Sequence, residues 1–194
     1  MKRLVILISG GGSNMQAVID ACKEGRIKAR VVAVVSSNAQ AGGLEKAAKH
    51  GIAAYVCALS DFESPQERDK KIVEIAAKHN ADYLILAGYL GIFTPDLVGA
   101  YKGKIINIHP SLLPKHGGKG FYGTNVHKSV LASGDKVSGA TAHLVDENID
   151  TGAILAQKEV EVMSGDTPES LQKRVLEIEH LLLVEVLAEL CREF

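Results

Sequence analysis

The sequence has no tryptophan, few other aromatic residues and almost no net charge, since 22 lysines and arginines face 23 acidic residues. This charge balance argues against the broad basic surface that non-specific nucleic-acid binding requires. The three cysteines cannot all pair and show no zinc-ligand spacing, which predicts free thiols in the reducing cytoplasm. Lys2-Arg3 lead straight into a strand-like run without a small-residue cleavage site, so we expect no cleavable leader, and no apolar stretch approaches the roughly 20 residues of a bilayer span. We therefore expect a cytoplasmic protein with small-molecule ligands and with neither nucleic-acid nor membrane partners.

Short apolar runs, rich in β-branched residues, alternate with helical patterns in the first half of the chain. These runs cover residues 3–8, 31–37, 53–58, 83–88 and 104–109. Because the runs are almost wholly apolar, they are typical of parallel strands that are buried on both faces. Ser64-Pro65 and Thr94-Pro95 mark helix starts between them. The alternation predicts an α/β fold, an open doubly wound and mostly parallel Rossmann-like sheet with its ligand site outside the carboxyl ends of the strands.

The second half of the chain begins with a loop, residues 117–123, in which four of seven residues are glycine. A short helix is predicted over 125–132, and strands over 140–145 and 153–162 form a strand-rich C-terminal extension. Thr167-Pro168 starts a last helix that runs towards Cys191. The apolar face of this helix is assigned to the core rather than to a dimer seam. Without a linker or repeat, residues 1–194 are predicted to form a single domain.

The turn after the first strand, residues 8–14 with the sequence ISGGGSN, is rich in glycine and precedes a helix. Such a turn lets the backbone approach an anion, which the helix N-terminus then binds. The third glycine of a dinucleotide fingerprint is replaced by Met15, and no acidic residue follows the second strand. A single phosphate is therefore favoured over a nicotinamide dinucleotide. The alternative is that the glycines only form the tight turn.

Asn107 and His109 alternate with isoleucines near the end of the fifth strand, just before Pro110. Side chains two residues apart on a strand share a face, about 7 Å apart at ~3.3 Å per residue. An amide and an imidazole are therefore expected together at the carboxyl edge of the sheet. A satisfied core pair is the alternative, but each polar group buried without a partner costs about 1 to 3 kcal/mol.

The segment DENIDTG, residues 146–152, offers three carboxylates, of which Asp150 is our choice to orient a histidine and favour its charged form. A plain turn aspartate is the alternative. His143 is expected to be structural or to line the site. His50, His79 and His127 lie in helical patterns near lysines, so we expect them to be solvated.

Five segments then combine in one order: ISGGGSN, LAGYLGIF (86–93), NIHPSLLPK (107–115), HLVDENIDTGAILAQ (143–157) and EIEH (177–180). Over essentially its whole length the chain resembles the phosphoribosylglycinamide formyltransferases, a folate-dependent family of purine synthesis. The resemblance implies transfer of the formyl group of 10-formyltetrahydrofolate to the primary amine of phosphoribosylglycinamide. It also implies direct amine attack with His109 as general acid and base, without a metal. Residues 1–100 would form a phosphate-binding half, and residues 101–194 a catalytic and folate-binding half.

The resemblance also carries individual residues over to this sequence. Asn107, His109 and Asp150 match the family's catalytic trio. The substrate-binding positions are Gly12, Ser13 and Asn14 in the phosphate loop, with Glu179 on the glycinamide. The folate-binding positions are Leu90, Gly91, Ile92, Phe93, Asp146, Glu147, Asn148 and Ile149. Some relatives carry arginines near the folate where this chain has Gly91 and Pro65, which leaves Arg68 and Lys115 as candidates for the glutamate tail.

Several alternatives stay open from the sequence. The length of 194 residues argues against the added domains of formyltetrahydrofolate deformylases and methionyl-tRNA formyltransferases. A sugar-nucleotide formyltransferase would have no use for the phosphate loop. A non-catalytic phosphosugar-binding module and a nicotinamide oxidoreductase are the rivals from other classes. Both a monomer and a homodimer are compatible with the sequence.

Overall fold

The computed structural model describes residues 1–192, which form seven strands and six α-helices. The strands are β1 (Lys2–Ile8), β2 (Ala29–Ser36), β3 (Ala53–Val56), β4 (Tyr83–Leu86), β5 (Ile105–His109), β6 (Val137–Leu144) and β7 (Ile154–Glu161). The helices are α1 (Ser13–Lys23), α2 (Gly42–Lys49), α3 (Pro65–Lys78), α4 (Pro95–Ala100), α5 (Thr124–Ser133) and α6 (Pro168–Leu190). Every strand predicted from the sequence is present. Each of the marked helix starts also begins a helix.

All seven strands form one sheet in the order β3-β2-β1-β4-β5-β6-β7. The first five strands in this order are parallel, whereas β6 runs antiparallel to β5, and β7 antiparallel to β6. The predicted α/β class is confirmed, and the strand-rich extension continues the same sheet. The strand order reverses between β1 and β4, which is where sheets of this kind bind ligands.

The two faces of the sheet are covered by different helices. Leu4, Ile6 and Ile8 of β1 lie in a buried cluster that includes Met15 of α1 and Leu183 of α6. The alternate residues of the same strand, Val5 and Leu7, point the other way, into a second cluster with helices α3 and α4. Burial on both faces explains why the strand sequence shows no polar alternation.

Side-chain caps begin two of the helices at the predicted positions. The Ser64 hydroxyl accepts a hydrogen bond from the Glu67 amide at 3.2 Å, and Thr167 and Ser170 cap each other reciprocally at the start of α6. The apolar face of α6 is buried within the chain, with Leu171 and Val175 fully inaccessible, so its assignment to the core is confirmed. Within residues 1–192, the helices are too short or too polar to cross a membrane.

Candidate active site

A cavity of about 550 Å³ opens at the carboxyl edge of the sheet. It is lined by the loops that follow β1, β4 and β5, by the glycine-rich loop, by residues 145–150 and by one side of α6. Its volume is typical of a small-molecule site. All fifteen residues that the sequence analysis assigned to catalysis or binding line this one cavity.

Asn107 and His109 share one face of β5, as their spacing predicts, while Ile106 and Ile108 pack into the core on the other face. The Asn107 amide nitrogen donates to Nε2 of His143 at 3.0 Å. Nδ1 of His143 donates to the carbonyl of Leu144 at 2.9 Å, which leaves Nε2 of the neutral ring as an acceptor. One amide hydrogen of Asn107 is thus fixed on β6, and the second hydrogen is available for a ligand.

Asp150 faces His109 across the cavity wall, with 3.5 Å between its Oδ2 atom and Nδ1 of the imidazole. The backbone of Asp150 is left-handed, with φ of 58°, and its Oδ2 atom accepts the Gly118 amide at 2.9 Å. Burial works against ionisation of this carboxyl, but the neighbouring His143 and His109 rings and the Gly118 amide together lower its pKa. Asp150 is therefore a charged group beside the imidazole.

Burial lowers the pKa of His109, and the charge of Asp150 opposes that shift. The imidazole is 4% exposed, so its charged form depends on this single nearby carboxylate and on its hydrogen-bond acceptors. An imidazole beside a carboxylate can take up and release a proton. The arrangement fits general acid and base chemistry.

Two further histidines belong to the cavity. His143 is 2% exposed and lies between Asn107 and Asp150, with its Nε2 atom 3.6 Å from Oδ1 of Asp150. The prediction that His127 is solvated is wrong, because it is 1% exposed and lines the cavity from α5. Burial, followed by the charge of His109, lowers the pKa of His127 to about 4. Helix α6 covers this side of α5, which the local sequence does not reveal.

His50 and His79 also differ from the prediction, because both are partly buried and hydrogen-bonded. The His50 ring bonds to the Gln16 side chain at 2.8 Å, and the His79 ring bonds to the Tyr55 hydroxyl at 2.9 Å. Both residues immediately follow a helix, α2 or α3, where the chain turns back against a neighbouring element.

The glycine-rich turn after β1 wraps around the N-terminus of α1. Gly12 has φ of 68° and directly precedes the helix, so Ser13 and Asn14 lie in its first turn. The turn is supported from the side by Gly43, where an added Cβ atom would lie 2.4 Å from Ile8 and 3.2 Å from the Gly10 carbonyl. Residues 10–14, which include this helix N-terminus, line the cavity, and a helix N-terminus is a ready site for a phosphate.

The side chain of Asn14 turns away from this anion site and towards α6. Its amide nitrogen donates to Oε2 of Glu179 at 2.7 Å, while its buried Oδ1 atom has no partner among the described residues. Burial raises the pKa of Glu179 to about 7, although the hydrogen bond from Asn14 opposes the shift. A carboxylate and a free amide oxygen side by side form a pair of acceptors, which suits the N–H and O–H groups of a ligand.

A further wall of the cavity is formed by the mostly apolar loop after β4 and by residues 146–149, of which only Ile149 is apolar. Leu90 and Ile92 are 59% and 61% exposed, whereas Phe93 stacks on the buried Tyr89 ring. Gly91 leaves room for that ring, since an added Cβ atom would lie 2.5 Å from it. Exposed aliphatic side chains of this kind suit a flat apolar ligand.

Arg68 and Lys115 do not reach the cavity, contrary to their candidacy for the glutamate tail. Arg68 is 3% exposed, pairs with Asp69 and donates to the Ile92 carbonyl at 2.6 Å. Asp69 in turn accepts the Thr94 amide at 2.6 Å, so the buried pair holds the loop after β4 in place. Lys115 pairs with Asp135 outside the cavity.

Lys119 was missed by the sequence analysis. It is the one lysine or arginine among the residues that line the cavity, for the part of the chain that the structure describes. The remaining charged lining residues are Asp146, Glu147, Asp150 and Glu179. The sequence did not indicate this position, because a single lysine in a glycine-rich loop shows no pattern that would place it in a binding site.

A doubly wound sheet with a cavity at its switch point defines an α/β ligand-binding protein of the Rossmann type. The chain belongs to the formyl transferase family, whose sequence profile matches residues 2–187. It is 45% identical over 197 residues to the chloroplastic phosphoribosylglycinamide formyltransferase of Arabidopsis thaliana, and the match covers 99% of this chain and 66% of that protein. The chain thus spans just under two thirds of the length of the plant relative. The phosphoribosylglycinamide formyltransferase of Escherichia coli is 40% identical, with 92% and 82% of the two chains covered.

Solved structures agree with these sequence matches. The crystal structure of phosphoribosylglycinamide formyltransferase from Brucella melitensis is 42% identical, with a TM-score of 0.90 over 100% of this chain and 97% of that one. Glycinamide ribonucleotide transformylase 1 from Geobacillus kaustophilus gives a TM-score of 0.92 at 38% identity, over 99% and 100% of the two chains. The fold and the family therefore agree.

Proposed function

We propose that this protein transfers the formyl group of 10-formyltetrahydrofolate to the primary amine of phosphoribosylglycinamide in purine synthesis. The observation that carries the proposal is the convergence of Asn107, His109 and Asp150 in a cavity that also contains the N-terminus of α1. Family membership and the names of the relatives support the same reaction. The two ligands must meet where the amide and the imidazole lie.

The lining of the cavity provides complementary places for the two ligands. The phosphate would bind the backbone amides of Gly12, Ser13 and Asn14. The Asn14 side-chain oxygen and Glu179 would accept hydrogen bonds from the glycinamide part. The folate would lie against the wall that comprises Leu90, Gly91, Ile92, Phe93, Asp146, Glu147, Asn148 and Ile149. Lys119, which also lines the cavity, would offset the charge of these anionic ligands.

The residues of β5 supply a route for the chemistry. The amine attacks the formyl carbon and forms a new carbon–nitrogen bond. The bond between the formyl carbon and the folate nitrogen then breaks. Negative charge that grows on the formyl oxygen is stabilised by the free Asn107 hydrogen and by protonated His109. A proton passes from the attacking nitrogen to the departing folate nitrogen with the help of His109, which Asp150 orients and whose charged form it favours. This route uses no metal.

We also propose a cytoplasmic location and either a monomeric or a homodimeric state. The three free thiols support this location, because unpaired cysteines are typical of a reducing compartment. Fractionation of cells and sedimentation of the purified protein test the two parts separately.

The direct test of the activity is an optical assay of folate release, with both substrates present and then with each alone. We expect release that depends on phosphoribosylglycinamide and on the protein. The Asp150→Asn variant is the matched control, because it keeps the shape of the site and removes the charge. Binding of both ligands without release would instead identify a non-catalytic phosphosugar-binding module, and binding of NAD would favour an oxidoreductase.

A further inference from the structure

His116 lies outside the cavity lining, but its backbone touches the predicted catalytic imidazole. The His116 carbonyl accepts a hydrogen bond from Nε2 of His109 at 2.9 Å. The Ser111 hydroxyl approaches the same oxygen at 3.3 Å. The segment between β5 and the glycine-rich loop thus folds back, so that the His116 backbone contacts the His109 ring.

Hydrogen bonds hold the His116 side chain in place. His116 has φ of 53°, a left-handed conformation that residues other than glycine rarely adopt. Its ring is held at both nitrogens, by the Ser129 hydroxyl of α5 at 2.9 Å and by Oδ2 of Asp135 at 2.8 Å. The hydrogen bond to His116 is the largest of the causes that lower the pKa of Asp135 to about 2, so the partner is a full carboxylate. Two side-chain bonds therefore stabilise an unfavourable backbone conformation.

The carbonyl fixes which nitrogen of His109 carries the proton. A carbonyl oxygen only accepts, so Nε2 of His109 must be protonated in the neutral as well as the charged ring. The lone pair of the neutral ring is then at Nδ1, which faces Oδ2 of Asp150 at 3.5 Å. Nδ1 is thus the nitrogen that takes up and releases a proton next to the carboxylate.

We propose that His116 is a positioning residue, which is held by Ser129 and Asp135 and which confines proton exchange to Nδ1 of His109. The consequence for catalysis rests on the proposed function, whereas the consequence for the tautomer does not. Loss of the ring contacts would release the carbonyl, and the neutral His109 ring would then populate both tautomers. The same loss removes an acceptor from the charged ring, which lowers the pKa of His109.

The groups that face His109 from all sides are Asp150 and the rings of His143, His127 and His116. Of these, only Asp150 is an anion, and it is unchanged in the variants below. His127 stays neutral at physiological pH because its pKa is about 4. His116→Phe also removes the repulsion by the His116 ring, a smaller effect that would raise the pKa of His109, so a downward shift in this variant reports the lost carbonyl contact.

The test is the nitrogen NMR spectrum of protein labelled with ¹⁵N-histidine, recorded without substrates above the pKa of His109. The wild type should show a protonated Nε2 and an unprotonated Nδ1 for His109. His116→Phe, which keeps a ring and loses both of its hydrogen bonds, should show averaged shifts of the two tautomers. Ser129→Ala removes one of the two hydrogen bonds of the His116 ring and should shift the His109 signals in the same direction. If His116→Phe does not fold, Ser129→Ala tests the proposal in its place. Lys136→Met is the control, since this neighbour of Asp135 takes no part in the network and should leave the spectrum unchanged.

Kinetics supply the second readout. In His116→Phe we expect kcat to fall about tenfold, the upper range for one lost hydrogen bond, with KM nearly unchanged. The pKa seen in the pH profile of kcat should move down. If folded His116→Phe and Ser129→Ala both keep the wild-type tautomer, the proposal is wrong. If the tautomer shifts but no variant or wild type forms product, the positioning role holds and the proposed function fails instead.

Discussion

His109 and Asp150 lie 3.5 Å apart, between Nδ1 of the ring and Oδ2 of the carboxylate, although one ends β5 and the other lies in the loop before β7. The contact depends on a left-handed aspartate that a backbone amide holds in place. Among residues 1–192, Asp150 gives the buried imidazole its one adjacent negative charge, so the charged form of His109 depends on this carboxylate.

Asp150→Asn should lower kcat by about 10² to 10⁴, the usual contribution of general acid–base catalysis, and leave KM nearly unchanged. The amide can still accept the Gly118 amide hydrogen but no longer favours the charged imidazole. The carboxylate raises the pKa of His109, so the pKa in the pH profile of kcat should also move down in the variant. Near-normal turnover of the folded variant would remove Asp150 from the proposed chemistry.

Asn107→Ala should lower kcat by about 10² to 10³, which corresponds to the loss of one oxyanion donor at about 2.7 to 4 kcal/mol. KM for both substrates should change little, because the amide is proposed to act on charge that develops during the reaction. Steady-state kinetics with each substrate in turn measure both quantities. Asn125→Ala on α5 is the matched control, since that exposed residue does not line the cavity.

Gly11→Ala should raise KM for the phosphorylated substrate at least tenfold, which corresponds to about 1.4 kcal/mol of lost binding, and spare KM for the folate. An added Cβ atom meets no protein atom within 4 Å, and the residue does not need a positive φ, so the methyl group obstructs the ligand and not the fold. Gly99→Ala in α4 is equally free of contacts and serves as the control. Equal losses for both substrates would contradict a phosphate site at this turn.

Glu179 should make folding stability depend on pH. Burial raises its pKa to about 7 from 4.5, so the folded protein binds this proton more tightly than the unfolded chain does. Stability from this group is present below pH 4.5 and is lost as the pH rises through 7, a change of about 3 kcal/mol. Urea unfolding at pH 5 and at pH 8 should show this loss in the wild type. Glu179→Gln should lack that part of the pH dependence, and identical profiles for the two proteins would contradict a raised pKa.

The local sequence was sufficient for much of the fold. The β-branched runs predicted the strands, and the Ser64-Pro65 and Thr167-Pro168 pairs predicted helix starts, because capping and strand burial depend on neighbours in the chain. Alternation along β5 also predicted that Asn107 and His109 share a face. Their catalytic roles, and the other site roles taken from the resemblance, stay predictions.

Burial and pairing across the chain were not predictable in the same way. His127 has a polar helical neighbourhood in sequence, but α6 packs against its helix and buries it. In the sequence Arg68 is a candidate to bind an anionic ligand. In the structure it is hydrogen-bonded to Asp69 and to the Ile92 carbonyl, and it holds the loop after β4 in place. Each of these outcomes depends on a partner that is distant in sequence.

By itself, the sequence determined which chemical groups stand at the ends of the strands, because side-chain periodicity and turn chemistry are local properties. Only the tertiary structure decided which of these groups meet. The antiparallel addition of β6 and β7 places His143 and Asp150 beside β5, and the packing of α6 brings Glu179 to Asn14. These contacts set the charge states in the cavity, since desolvation and Coulomb interactions depend on distance in space and not along the chain.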